Sequence, residues 1–337
     1  MAYTPDLNRY NNGMRYSYCG KSGLQLPKVS LGLWHNFGHT DDFENGKSIV
    51  EFAFDRGITH FDLANNYGPP SGSAEENFGK IFQSSLAAHR DEIIVSTKAG
   101  HLMWDGPYGD GSSRKNLISS LNQSLKRMDL DYVDIFYSHR YDGVTPIEET
   151  MQALIDIVKS GKALYAGLSK YPPELAEKCY RILESQGVRC LIYQDRYSML
   201  ARDVENGALE TANRNGIGFC AFSPLAQGLL TDRYLDGIPA DSRVAKNGFL
   251  KKEQVTLERI AIIRELNDLA LKRSETLAQM ALSWLLNDPR VTTVLVGASS
   301  VEQLKNNLEA LQAPAFEMET LNKIREIVSR YPAIMPK

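Results

Sequence analysis

At 337 residues, with 43% apolar and 23% charged side chains, the chain has an ordinary globular composition and can bury a large core without disulfides or metals. Its 38 Lys and Arg against 41 Asp and Glu leave a net charge of −3, with no basic patch for nucleic acid and no polybasic run for a membrane surface. No apolar run approaches the length of a bilayer span, and the start, Met1 to Tyr16, is polar with no apolar signal region. Cys19, Cys179, Cys190 and Cys220 show neither a CxxC pair nor metal spacing, and the histidines are dispersed. These features predict a cytoplasmic protein with reduced core thiols, no metal site, no nucleic-acid partner and no membrane partner.

Two extended pieces come first, Met14–Tyr18 and Leu24–Pro27, joined by the turn Gly20-Lys21-Ser22-Gly23, and they read as a hairpin. A regular alternation follows. Short apolar runs occur at Val29–Leu33, His60–Leu63, Ile93–Thr97, Tyr132–Tyr137, Ala163–Leu168, Leu191–Gln194, Gly218–Phe222 and Val291–Val296. Segments of helical period lie between them, among them Asn45–Arg56, Ala74–Leu86, Ser113–Met128, Ile147–Ser160 and Pro173–Gln186, with Gly57, Gly161 and Gly187 punctuating helix ends. Apolar strands alternating with amphipathic helices argue for parallel βα units, and eight such units argue for a closed barrel. The expected fold is therefore α/β, a (β/α)8 TIM barrel with an N-terminal β-hairpin, spanning 1–337 as one domain. The longest break in the rhythm, Ser223 to Lys252, is a long loop after the seventh strand, and loops of that length are usually functional or disordered. A second, Gly100 to Ser112, follows the third strand.

In a parallel barrel the chemistry sits where strands end and βα loops begin. The strand ends supply Asp62 with Tyr67 five residues on, Lys98, Ser138-His139, Ser169, Gln194 and Phe222-Ser223. Reducing a carbonyl needs a hydride on carbon and a proton on oxygen. A free Tyr holds its proton to pH ~10, but a neighbouring ammonium favours the phenolate. Lys98 would be that cation, Asp62 would keep it charged, His139 would polarise the carbonyl oxygen, and Tyr67 would be the general acid. No GxGxxG follows the first strand, and a barrel that binds its cofactor on the rim needs none. Trp34, Trp104 and Tyr108 are candidate walls of an apolar substrate pocket that also includes Tyr67 and His139.

The segment His60-Phe61-Asp62-Leu63-Ala64-Asn65-Asn66-Tyr67-Gly68 resembles the aldo-keto reductase signature, and Ser96-Thr97-Lys98 and Phe136-Tyr137-Ser138-His139 resemble that family's other catalytic elements. Trp34-His35-Asn36-Phe37-Gly38, Tyr67-Gly68-Pro69-Pro70 and Ser223-Pro224-Leu225-Ala226-Gln227-Gly228-Leu229-Leu230 narrow the likeness to the branch acting on L-glyceraldehyde 3-phosphate, which is similar to the potassium-channel β subunits. The resemblance implies NADP(H) as cofactor and a small aldehyde as substrate, a triose phosphate or methylglyoxal. It places Trp34 and Asp62 beside the cofactor, and Ser169 and Gln194 on the nicotinamide carboxamide. Phe222 falls where an aromatic ring stacks on the nicotinamide. Ser223, Leu225, Gln227, Arg233 and Arg243 fall in the segment that folds over the pyrophosphate, Ser299 and Gln303 near the 2′-phosphate and Asn307 near adenine, so that NADP preference leans on Arg243, Ser299 and Gln303. Two positions depart from the pattern: Lys170 stands where many members have Asn, and Gly297 where many have Lys. The alternative is a cofactor-binding module like the channel β subunits, with weak or no turnover; those subunits typically carry Asn at the position of His139, and they suggest a homo-oligomer. A barrel lyase using Lys98 as a Schiff-base amine is a further rival, one with no use for a dinucleotide motif.

Overall fold

The computed structural model describes residues 3–239 and 255–331. Its first elements are the expected hairpin, in which β1 (Tyr16–Tyr18) pairs antiparallel with β2 (Gln25–Pro27). Eight parallel strands then close into a barrel: β3 (Val29–Gly32), β4 (His60–Asp62), β5 (Ile94–Ala99), β6 (Val133–Ser138), β7 (Ala163–Ser169), β8 (Cys190–Arg196), β9 (Gly218–Phe222) and β10 (Thr293–Val296), with β10 returning to β3. The chain is thus a (β/α)8 barrel.

Strand residues alternate between the lumen and the outer layer. Phe61, Val95, Phe136 and Leu168 face outward into the core shared with the helices, whereas Ile135, Tyr137, Ile192, Cys220 and Leu295 fill the lumen together with Cys19 and Leu26 of the hairpin. The hairpin therefore stoppers the N-terminal end of the barrel. The Lys21 amide donates to the Gly216 carbonyl at 2.8 Å, and a Cβ on Gly218 would lie 2.3 Å from Cys19 Sγ. The opposite end, where the βα loops emerge, is left for chemistry.

The outer layer comprises α1 (Phe43–Asp55), α2 (Ser73–Ile81), α3 (Arg114–Met128), α4 (Ile147–Lys159), α5 (Pro173–Ser185), α6 (Ala208–Arg214), α7 (Leu257–Lys272), α8 (Leu277–Leu286), α9 (Val301–Leu308) and α10 (Met318–Ser329). α4 buries Ile147, Met151, Leu154 and Ile155, the spacing of one helix face. α1 is capped by Asp42, which accepts from the Glu44 and Asn45 amides, and α8 by a reciprocal box between Thr276 and Gln279. Gly57, Gly161 and Gly187 all take the left-handed conformation expected just past helix ends. No described helix is long and apolar enough to cross a membrane.

Several boundaries differ from expectation, three of them instructively. The run Ala74–Leu86 is α-helical only to Ile81 and continues as a π turn over Phe82–Leu86. The wider i→i+5 turn keeps Phe78, Phe82 and Leu86, each four apart, on one buried face. β8 outruns its apolar stretch by two polar residues, and the last strand begins at Thr293. The long loop does start at Ser223, but Leu229, Leu230 and Tyr234 anchor it in a second apolar cluster with Ile263, Leu266, Met280 and Ile327.

Candidate active site

Adjacent strands β4 and β5 carry the polar lumen. Asp62 lies opposite Ser96, and both, with Lys98, are fully buried. Lys98 Nζ donates to Asp62 Oδ2 at 2.5 Å and to the Leu63 carbonyl at 2.7 Å, and lies 5.2 Å from the centre of the Tyr67 ring. Asp62 Oδ1 accepts from Ser96 Oγ at 2.6 Å and from Gln194 Nε2 at 3.2 Å. Tyr67, on the loop after β4, has Trp34 on one side and His139 on the other, each with its ring 6.1 Å away. His139 directly follows β6. The four residues picked from strand ends therefore converge.

Burial raises the Tyr67 phenol above its ordinary pKa; Lys98 pulls the other way without reversing it, and Asp62 adds to the rise. Burial alone would lower Lys98, but Asp62 and then Tyr67 more than offset it and hold the ammonium high. His139 is driven well below the usual imidazole range by burial, then by Lys98, His101, Lys170 and Arg140. Near neutral pH the arrangement is a neutral phenol and a neutral imidazole above a buried ion pair. Each of the two can donate one hydrogen bond to an oxygen placed on this rim.

Of the residues expected around a dinucleotide, Ser169, Gln194 and Phe222 lie on β7, β8 and β9 toward the same rim. Ser169, the last residue of β7, lies opposite Gln194, two residues before the end of β8. Phe222 ends β9, half-buried, with Lys170 Nζ 5.2 Å from its ring centre. Asn36 (φ 72°), Lys170 (55°), Ser223 (53°), Ala226 (46°) and Gln227 (60°) are left-handed, five of the seven such non-glycine residues described, and backbone strain of this kind gathers at ligand sites. Leu225 packs against both apolar clusters, and Arg233 sits exposed on the turn Asp232–Tyr234. Asn36 and Asn45 donate to the Ala298 and Ser299 carbonyls, which fixes the loop that opens α9. Gln303 Oε1 accepts from both the amide and the hydroxyl of Ser299. Asn307 is buried on α9. Arg243 lies outside the described residues.

The pocket walls divide. Trp34 contacts Tyr67, whereas Trp104 is half-buried on the loop after β5 and Tyr108 is 55% exposed beneath Lys115. The ring against His139 is His101, edge-on at 4.4 Å, which the sequence reading passed over. Arg140 was also missed; it donates to the Gly100 carbonyl and to Asp110 and so ties the 100–112 loop to the rim. Proximity to His139 in the chain was the available signal for Arg140, and position in the loop after β5 for His101.

The sequence profile of the aldo/keto reductase family matches residues 28–329. The chain belongs to the aldo/keto reductase family. It is 54% identical over 334 residues to the L-glyceraldehyde 3-phosphate reductase of Escherichia coli strain K12, covering 98% of this chain and 96% of that one. It is 35% identical over 327 residues to a probable voltage-gated potassium channel subunit beta of Arabidopsis thaliana, covering 95% and 98%. As an aldo/keto reductase it is an oxidoreductase acting with a nicotinamide cofactor, and the rim suits such a group. Buried polar atoms are rarely left unpaired, yet Ser169 Oγ, His139 Nδ1, Gln227 Oε1 and Asn307 Nδ2 all are.

Proposed function

We propose that this aldo/keto reductase reduces small aldehydes to alcohols with NADPH, and that phosphorylated trioses such as L-glyceraldehyde 3-phosphate are preferred over methylglyoxal. The observation that carries the reading is the buried Asp62–Lys98 pair beneath Tyr67, with His139 on the same rim. The nicotinamide supplies a hydride to the carbonyl carbon. Tyr67 gives its hydroxyl proton to the carbonyl oxygen, His139 donates a hydrogen bond to that oxygen, and Lys98 favours the phenolate left behind. Trp34 and Trp104 line the substrate space. Ser169, Gln194 and Phe222 would hold the nicotinamide, Ser223, Leu225, Gln227 and Arg233 the pyrophosphate, Ser299 and Gln303 the 2′-phosphate, and Asn307 the adenine. Because Gln303 Oε1 is taken by Ser299, its Nε2 would be the donor left for the 2′-phosphate.

The preference for a phosphorylated substrate is supported by charge. Lys170 and Arg140 bear on His139 from this rim, although Arg140 also pairs with Asp110, while Lys98 is paired with Asp62 and His101, its pKa pushed down to about 4, is uncharged near neutral pH. A dianionic aldehyde is drawn to such a mouth; neutral methylglyoxal is not. A cytoplasmic location accords with four cysteines that are all free and buried.

A panel of aldehydes assayed by NADPH absorbance loss, repeated with NADH, tests the reading. Turnover is expected with L-glyceraldehyde 3-phosphate at a KM at least ~10-fold below that for methylglyoxal, with the gap closing at high salt. Arg243→Ala is expected to weaken NADPH about 10- to 100-fold and scarcely touch NADH. Cofactor binding without turnover on any aldehyde would favour a channel-subunit-like module.

A further inference from the structure

Below Asp62 the lumen holds a chain of polar groups that the mechanism above does not use. Ser96 Oγ, 2.6 Å from Asp62 Oδ1, is 2.9 Å from His60 Nε2. His60 Nδ1 is 2.9 Å from Ser30 Oγ, which is 2.7 Å from Thr293 Oγ1. The chain crosses β10, β3, β4 and β5, and every member has zero solvent exposure. Ionised Asp62 can only accept, so the Ser96 hydroxyl must donate to it, and Ser96 must then accept from His60. That fixes the His60 proton on Nε2. Nδ1 is consequently the acceptor and takes the Ser30 hydroxyl proton, and Ser30 in turn accepts from Thr293. Placing the proton on Nδ1 would turn Ser96 toward His60 and leave two oxygens 2.6 Å apart with no hydrogen between them. Only one proton arrangement satisfies every group, and all its donors point toward Asp62.

We propose that His60 and Ser96 are positioning residues that, through Asp62 and Lys98, set the acidity of Tyr67. Aligned donors feeding Oδ1 disperse the Asp62 charge and hold Oδ2 on Lys98, so the ammonium keeps its third N–H for the phenol. Burial keeps His60 neutral, its pKa pushed down to about 4, so it does not itself switch over the working pH range. The other titratable groups facing this chain are Lys98 from β5, Cys220 from β9, Tyr137 from β6, His139 just after β6, Cys19 from the hairpin, and Tyr67 itself.

Losing the Ser96 donor concentrates negative charge on Asp62, which disfavours the phenolate and raises the Tyr67 pKa. Reduction requires protonated Tyr67, so its high-pH fall moves to higher pH while the plateau drops, because the acid is weaker. Alcohol oxidation requires the phenolate, so its rise moves to higher pH as well. In Ser96→Ala we expect both midpoints to move up by about half to one pH unit and kcat for reduction to fall about three- to tenfold. His60→Phe should move them in the same direction by less, and Ser96→Thr, which keeps a hydroxyl, should restore the wild-type midpoints. A merely structural role would lower the melting temperature and leave the midpoints in place. A folded Ser96→Ala with unmoved midpoints would overturn the proposal. Nitrogen-15 NMR of the wild-type histidines tests it without any variant: His60 should be Nε2-protonated and untitrated from pH 5.5 to 9, and an Nδ1–H tautomer would equally overturn it. The inference rests on Tyr67 as proton donor, so Tyr67→Phe is measured alongside. Retained turnover there refutes that donor assignment, whereas a dead Tyr67→Phe with an unshifted Ser96→Ala refutes the relay alone.

Discussion

In the proposed mechanism Tyr67 and Lys98 divide one task. The phenol would hold its proton until the carbonyl oxygen gains charge, in keeping with the rise that burial gives its pKa, and the ammonium would stabilise the anion once the proton has left. Tyr67→Phe keeps the ring beside Trp34 and His139 and removes only the donor, so it is expected to bind NADPH normally and lose about 10²–10⁴-fold in reduction. Cofactor fluorescence titration with single-turnover kinetics checks both halves, and a loss under about tenfold in the chemical step would remove Tyr67 from the role. Lys98→Met goes further, since it strands a fully buried carboxylate. Breaking a buried pair from one side costs roughly 3–5 kcal/mol, so both activity and stability should fall. The double variant Lys98→Met with Asp62→Leu separates the two, because replacing a whole buried pair by apolar groups is often near neutral. Urea unfolding should show stability regained while turnover stays lost. A double variant as unstable as Lys98→Met would place the cost in packing rather than in the stranded charge.

Among the elements, the N-terminal hairpin has the clearest mechanical role. It closes the lumen by seating Cys19 against Gly218, where β9 begins. Gly218→Ala would bring a methyl to 2.3 Å from Cys19 Sγ, and overpacking of that kind costs about 1–3 kcal/mol. Cys19→Ala removes the sulfur, so the double variant should recover most of the loss in a urea melt; additive losses would mean that the hairpin does not meet β9 this way. The barrel strands themselves could be read from the chain, because strands buried on both faces are short continuous apolar runs, and the residues that break polarity at their ends, Asp62, Lys98, His139, Ser169 and Gln194, stand out for that reason. What stayed hidden depends on register. Ser30, His60 and Ser96 look like isolated polar interruptions, and only the alignment of three strands makes them one chain. The π turn over Phe82–Leu86 was illegible because four-residue spacing of apolar side chains is also an ordinary helical pattern. His101 gave no signal in sequence beyond its place in the loop after β5, since its partner His139 lies on another loop.

For the whole molecule, three histidines held neutral, His60 and His139 buried and His101 half-buried, tie stability to pH. His60 and His101 are depressed to about 4, and His139 well below the ordinary range, in each case first by burial. The unfolded chain protonates such groups near pH 6.5, while the folded chain does so only near 4 or lower. Between those values the unfolded state binds more protons, so stability is complete above about pH 6.5 and is lost as pH falls toward 4. For fully buried His60 the loss amounts to about 2 kcal/mol at pH 5, and the other two add in the same direction. The low carboxylates act in a separate window. Glu92, desolvated but hydrogen-bonded by His89, Tyr10 and Arg9, and Asp142, desolvated but hydrogen-bonded by Thr145, Val144 and Ser112, are both held at about 2, so their contribution fades only below about pH 4.5. Urea unfolding at pH 7 and pH 5 isolates the histidine window. Wild type should lose several kcal/mol between the two. His60→Phe should start lower at pH 7, because it leaves the Ser30 and Ser96 hydroxyls with one partner fewer, yet lose about 2 kcal/mol less on acidification. Equal acid slopes for variant and wild type would mean that His60 takes up its proton as readily in the folded barrel as in the open chain, which a histidine sealed in the lumen between two hydroxyls cannot do.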